Sequence, residues 1–411
     1  IETNSSGSTV VLTGQTEGFT ITGGAGNDII TSGTGNDIIT SGGGADSLTG
    51  AGGTDTFKVT AGTVTITDLI NGDHLVVSNS AVATANNVGN FTAQAATSNA
   101  GTATINSATG NTTIDMSGST SGGFILVGSG GVNQFTGGKG IDIITGAAGD
   151  DILVGGQGND IITGGNDNDS LTGGSGNDTF NVDAGIDSIE DLGGTGAADE
   201  DDVLIVSNSA TVNATNIIKF VSTNASKNEG TANLTAKSSG GHIDMTLSTA
   251  GAYTITGSAS TDTLIAGTGN DTIQITSAGD GDSDTMDGGS GSDTLKLASG
   301  SNIFSDNNKL KNIETIVANA SGSSVTLTGQ SESFTITGGA GIDTIIGGSG
   351  VDTITGGAVN DIITGGSGND IITIDSGEDK VKDLGGTSGS EQDVVVVNAG
   401  ATLNAIDIIG F

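Results

Sequence analysis

From Gly137 to Asn181 the chain repeats itself every nine residues, as GGKGIDIIT, GAAGDDILV, GGQGNDIIT, GGNDNDSLT and GGSGNDTFN. Asp142, Asp151, Asp160, Asp169 and Asp178 recur at that spacing, and two positions after each stands a hydrophobe: Ile144, Leu153, Ile162, Leu171 and Phe180. One physical unit has been copied in tandem, which constrains the fold more than composition does.

The residue types suit a definite chemistry. Glycines in the first six positions accept positive φ without a Cβ clash, so the chain can turn sharply and present its carbonyls inward. The last three positions then form a short strand whose middle hydrophobe faces in while its neighbours face out. A hard cation such as Ca2+ takes several oxygens, mixing carboxylates with backbone carbonyls. One aspartate per turn together with exposed carbonyls supplies such a set.

With glycine, aspartate and hydrophobe all in step, the chain resembles the RTX, or haemolysin-type calcium-binding, nonapeptide repeat family. The resemblance implies an all-β fold: calcium-bound parallel β-roll (β-helix) blocks, joined and capped by additional β-strand segments. It further implies that two successive repeats make one coil and that ions lie between loops two repeats apart. On that arrangement Asp142, Asp160 and Asp178 line one edge of the longest roll. Asp151 and Asp169 line the other, joined by Asn133, which stands where GSGGVNQFT lacks the acid.

Composition sets the condition under which the repeat can fold. The chain has 411 residues, 74 glycines, no cysteine or proline, and a formal charge of −37. Such a chain favours disorder by composition alone, so cations are expected to be needed for compaction. The absence of cysteine excludes a disulfide framework and zinc-thiolate sites. No run approaches the ~18 apolar residues of a membrane span. Ten scattered Lys and Arg offer no patch for nucleic acid.

Four modules follow in order. Residues 1–127 hold lead-in strands, a four-repeat roll (23–58) and a β tail; residues 128–256 hold a six-repeat roll (128–181) and a matching tail. Residues 257–312 hold a short roll (257–296) and a linker. Residues 313–411 repeat the first module, with lead-in strands, a four-repeat roll (338–373) and a truncated tail. The acids of the first roll are Asp28, Asp37, Asp46 and Asp55; of the third, Asp262, Asp271, Asp284 and Asp293; of the last, Asp343, Asp352, Asp361 and Asp370. Ile1-Glu2-Thr3 matches Ile313-Glu314-Thr315 inside the chain, and the expectation is of a segment of a longer polypeptide.

The tails are expected to be strands that cover the open ends of the rolls, where backbone groups would otherwise be unpaired. Aligned, they place Asp68, Asp191 and Asp383 in one column and Asp73, Asp202 and Asp393 in another, with Asp187 and Asp379 four residues before Asp191 and Asp383. Two readings stay open for these acids, an end-capping calcium site and a solvated turn. The run Asp199-Glu200-Asp201-Asp202 is read as a solvated loop by default, with a metal clip as the alternative. Between Asp271 and Asp284 an insertion adds Asp280 and Asp282. It lacks the twelfth-position glutamate of an EF-hand loop and is read as a looped-out roll turn.

No catalytic constellation is expected. His74 and His242 sit at turn-to-strand steps, outside any metal-ligand spacing, and read as satisfied surface residues. A periodic grid of acids implies ion ligation, not an acid/base pair with diverging pKa values. The reading that follows is a structural extracellular protein, similar to RTX-type bacterial surface-layer proteins, that folds on calcium and assembles with copies of itself at the bacterial cell surface. The family implies type I secretion. A cell-surface glycan or lipopolysaccharide would be reached through an anchor outside these residues. An RTX adhesin or fibre stalk is the alternative, and the calcium-binding C-terminal part of a secreted enzyme is a third reading.

The residue after each aspartate should point outward, yet it is Ile29, Ile38, Ile143, Ile152, Ile161, Ile362 and Ile371 in many copies. Intrinsic strand propensity is one account. A contact surface is the other, with Ile143 and Ile161 side by side on one sheet.

Overall fold

The computed structural model describes residues 1–194, 201–382, 384 and 391–406. The chain divides into two compact units, Ile1–Val212 and Asn213–Phe411. Among the described residues of both, the only helix is the four-residue Asp280–Ser283, and all other regular structure is strand.

In the first unit each nonapeptide of the long run gives a glycine turn and then a strand: Ile143–Ala148, Ile152–Gln157, Ile161–Asn166, Ser170–Ser175 and Thr179–Val182. The turn takes positive φ, which glycine adopts without strain at Gly156 (117°) and Gly158 (130°) and which Ala147 (88°) and Asp167 (76°) adopt at the equivalent places in neighbouring repeats. Each strand pairs in parallel with the strand two repeats on, Ile144 opposite Ile162 and Leu153 opposite Leu171. Alternate repeats therefore feed opposite sheets, and two repeats complete a coil. The middle hydrophobe of every strand stacks on its equivalent in the next coil, and Ile144, Leu153, Ile162, Leu171 and Phe180 are all fully buried. A slip of one residue would turn that column outward, so the pattern also sets the register.

The first tail extends this stack instead of covering its end. Ala45–Thr49 pairs in parallel with Thr63–Ile66, which pairs with Val82–Val88, then Thr102–Ser107, Ile125–Val127 and Ile143–Ala148. The tail lacks the nonapeptide but keeps the period-2 burial of its strands, with Val64, Ile66, Ala83, Ala85, Ala103 and Ile105 inside. Inward side chains of the right spacing are enough to add a coil. The lead-in behaves likewise: Thr9–Val11 and Thr20–Thr22 are two rungs on opposite sheets, paired to Ile29–Thr31 and Ile38–Thr40.

The second unit is built in the same way. Leu264 stacks on Met286, Ile273 on Leu295, and Ile354 on Ile372 through parallel pairs. The segment expected to be a linker contributes rungs too. Thr315–Val317 pairs with Thr294–Lys296 on one side and Thr335–Thr337 on the other, while Leu310 pairs with Met286. The insertion after Asp271 is not an open loop but the one-turn helix Asp280–Ser283, entered through Gly279 in the left-handed region (φ 98°). No helix among the described residues is long and apolar enough to cross a membrane.

Candidate metal centre

Each repeat aspartate sits at the step from turn to strand, with its carboxylate folded back toward the preceding coil. In most repeats its Oδ1 accepts the backbone N–H of the equivalent residue one coil earlier, eighteen positions back in the regular runs and 20, 21 or 22 where the coil is longer. Along one edge of the long roll Asp142 accepts from Phe124 at 2.6 Å, Asp160 from Asp142 at 2.8 Å and Asp178 from Asp160 at 2.7 Å. Along the other edge Asp151 accepts from Asn133 at 2.7 Å and Asp169 from Asp151 at 2.8 Å. The two edges are thus separate ladders. The first roll repeats them, with Asp28 donating to Asp46, Phe19 to Asp37 and Asp37 to Asp55. So does the second unit, with Asp262 donating to Asp284, Asp271 to Asp293, Asp343 to Asp361 and Asp352 to Asp370.

Several tail acids turn out to be rungs of these same ladders. Asp73 accepts from Asp55, Asp187 from Asp169, Asp202 from Asp178, Asp379 from Asp361 and Asp393 from Asp370, at 2.8–2.9 Å. Asp68 and Asp191 do something else: each takes two consecutive glycine-turn N–H groups, from Gly50 and Ala51 and from Gly173 and Gly174. Asp202 is buried in its ladder and so is not the solvated loop residue expected; Asp199, Glu200 and Asp383 lie outside the described residues. Asp280 is buried and accepts from Ser277, whereas Asp282 is turned away to bind Ser305.

Two ladder members escape a reading by motif. Glu314 accepts the N–H of Asp293 at 2.7 Å, its longer side chain reaching the position an aspartate fills elsewhere. The asparagine before many of the aspartates forms a second ladder of opposite sense: Asn159 Oδ1 accepts from Asn177 and Asn360 Oδ1 from Glu378, eighteen residues ahead. The recurrent Asn-Asp pair therefore ties each turn to the coil on either side. His74 and His242 begin strands and are half-buried; Nδ1 of His74 is buried without a partner, against the expectation of a satisfied surface residue.

The electrostatics of the ladders ask for a cation. Oδ2 of Asp37, Asp55, Asp151, Asp160, Asp169, Asp271, Asp361 and Asp370, among others, is buried with no hydrogen-bond donor. A buried carboxylate oxygen without a donor is costly. Burial pushes the Asp160 carboxyl up to about 7, opposed by the N–H of Asp142 and reinforced by the Asp142 and Asp178 carboxylates. Burial likewise raises Asp55, Asp169, Asp271 and Asp361 to about 7 and Asp284 and Asp370 to about 6. Peptide oxygens face the same spaces. A methyl group on Gly155 would be driven into both Asp160 Oδ2 and Gly173 O, and one on Gly146 into Asp151 Oδ2 and Gly164 O. Among the described residues no three acidic or histidine side chains converge on one point. An ion held here would draw one or two carboxylates from a ladder and its remaining oxygens from the glycine turns, the donor set of a hard cation.

A parallel β-solenoid edged with buried carboxylate oxygens that lack donors is a cation-binding β-roll. The family model of the RTX calcium-binding nonapeptide repeat matches residues 20–57, 127–162, 154–189, 249–274, 276–304, 335–363 and 347–381. The chain thus carries RTX repeats, which are calcium-binding motifs typical of secreted proteins. No curated protein matches it.

The two ladders give unequal weight to single acids. Asp160 lies between two carboxylates, Asp142 and Asp178, while Asp151 has Asp169 on one side and Asn133 on the other. Asp160→Ala is expected to lose more bound calcium per chain than Asp151→Ala. Isothermal titration of both variants counts the ions, and equal losses would contradict separate edges.

Proposed function

We propose that this chain is a structural protein of a bacterial surface layer, folded by calcium outside the cell and assembled side by side with its own copies. The observation that carries the reading is a row of apolar side chains on the outer face of the first unit. Ile125, Ile143 and Ile161 stand opposite one another in successive parallel strands. Ile143 is 40% and Ile161 39% exposed. Strand propensity accounts for β-branched residues there but not for isoleucine where threonine would serve as well, and a contiguous apolar ridge marks a contact surface. The repeat acids support a structural role over catalysis, because they are spent in repeating ladders. The continuous stacking of tail strands onto rolls also suits a stiff adhesin stalk, which would present isolated rods.

Changing Ile143 and Ile161 together to threonine keeps strand propensity and removes the ridge. Burying two half-exposed isoleucines contributes on the order of 1–2 kcal/mol, so the protein concentration needed for assembly should rise about tenfold. The melting temperature of the unassembled chain should stay unchanged. Electron microscopy at millimolar calcium distinguishes ordered sheets from separate rods; rods in the parent chain, or sheets formed equally well by the double variant, would defeat the proposal.

A further inference from the structure

The repeat at residues 128–136, GSGGVNQFT, opens the longest run and carries Asn133 where the following repeats carry aspartate. Asn133 is fully buried, and its backbone N–H enters the ladder like any other rung, donating to Asp151 Oδ1 at 2.7 Å. Its side chain does what no carboxylate can. Nδ2 lies 2.6 Å from Gly131 O, 3.1 Å from Ser129 O, 3.2 Å from Asp151 Oδ1 and 3.4 Å from Gly146 O. Three peptide oxygens and one carboxylate oxygen, drawn from two adjacent coils, surround a single nitrogen.

That is the mixture of ligands a hard cation takes, with an amide group in the middle of it. The orientation of the amide is dictated by its surroundings: turned over, Oδ1 would face four oxygens with no hydrogen between them, while Nδ2 brings two N–H donors. Oδ1 in turn is buried without a partner, so the side chain gives up one acceptor to keep both donors in the niche. At the next aspartate, Asp142, the second carboxylate oxygen turns to a donor instead. Asp142 Oδ2 accepts the N–H of Gly138 at 2.8 Å, four residues back.

The coil before Asn133 shows the same solution in weaker form. Thr112, which pairs with Asn133 across the sheet, is also buried, and its Oγ1 donates to Ala108 O and Gly110 O, each at 3.4 Å. These carbonyls lie four and two residues back, the relation Ser129 and Gly131 bear to Asn133. Along this edge the chain passes from a hydroxyl donor to an amide donor and only then to the carboxylates of Asp151 and Asp169.

We propose that Asn133 is a built-in substitute for calcium: its amide closes the niche it shares with Asp151, so this seam at the start of the six-repeat roll takes no ion and holds without one. This rests on the calcium reading of the roll, and the test separates the two. Calcium bound per folded chain is counted by isothermal titration and by elemental analysis after desalting, for the parent chain and for Asn133→Asp, with circular dichroism at saturating calcium to confirm folding. Replacing the amide by a carboxylate removes both donors and adds an anionic oxygen, so Asn133→Asp should bind one more ion per chain. A count equal to the parent's would overturn the substitution.

A second measurement leaves Asn133 in place. If only the far side of Asp151 holds an ion, Asp151→Ala should lose one, whereas Asp169→Ala, between Asp151 and Asp187, should lose two. Equal losses would overturn the proposal even if Asn133→Asp failed to fold. If the parent chain itself binds no calcium, the reading of the roll fails as a whole, and the seam with it.

Discussion

Removing calcium should abolish the β structure of this chain, and returning it to millimolar concentration should restore that structure. The reason is the balance carried by the ladders. The formal charge is −37, and the folded state adds to that repulsion by burying Asp160, Asp169 and Asp271 among other carboxylates, each with an oxygen that meets no donor. A chain with 74 glycines also loses much conformational entropy on ordering. Hydrophobic stacking inside the coil draws on only a few inward side chains per strand, Ile144 alone in one and Val64 with Ile66 in another, and is not expected to outweigh both. An ion that binds only the folded roll contributes about 2.7 kcal/mol when present at 100 times its dissociation constant. Several such ions reach the scale on which whole domains are stable. Extracellular calcium modules bind at ~10⁻⁴ to 10⁻³ M, which would leave the chain open where calcium is scarce and fold it where calcium is abundant. Far-UV circular dichroism with and without EGTA reads the change. A β spectrum indifferent to chelation would sink the idea.

How far the sequence discloses this depends on the part of the roll in question. The nonapeptide announces both its strand and its inward residue, and all eighteen repeat hydrophobes from Ile30 to Ile372, Phe135 included, are buried. The signal is strong because three residue types must agree within nine positions. Tail rungs such as Val82–Val88 and Thr102–Ser107 announce only an alternation. Alternation fixes which side chains go inside but not which strand is the neighbour, so a rung and a cap look alike until pairing is seen. Asp202 illustrates the same limit: it reaches the ladder across a step of 24 residues from Asp178 where the repeat step is 18. Glu314 is harder still, since a glutamate replaces the aspartate and no glycine turn precedes it. Asn133 was visible as a departure, but what its amide touches depends on carbonyls of two coils that local sequence does not bring together.

The calcium-free chain should respond to acid in the direction opposite to that of most proteins. Burial raises the carboxyls of Asp160, Asp169 and Asp361 from 3.8 to about 7, so the fold prefers their neutral form. When a folded-state pKa lies above the unfolded one, the folded chain binds the extra protons, and stability falls as pH rises between the two values. The contribution is complete below 3.8 and is lost as pH climbs through 6 to 7, where Asp284, Asp370 and the three above give up their protons. Protons would then do part of what calcium does, by neutralising carboxylates that have no donor. A chain freed of calcium by exhaustive dialysis and open at about pH 7.5 should regain β signal on titration to about pH 4.5, with light scattering to separate refolding from aggregation as the 47 acidic residues discharge. With calcium bound the sign reverses, because acid displaces the ion from its carboxylates, and the calcium needed for folding should rise as pH falls. A calcium-free chain that stays open at every pH, or a calcium requirement that drops on acidification, would show that these carboxylates do not govern the fold.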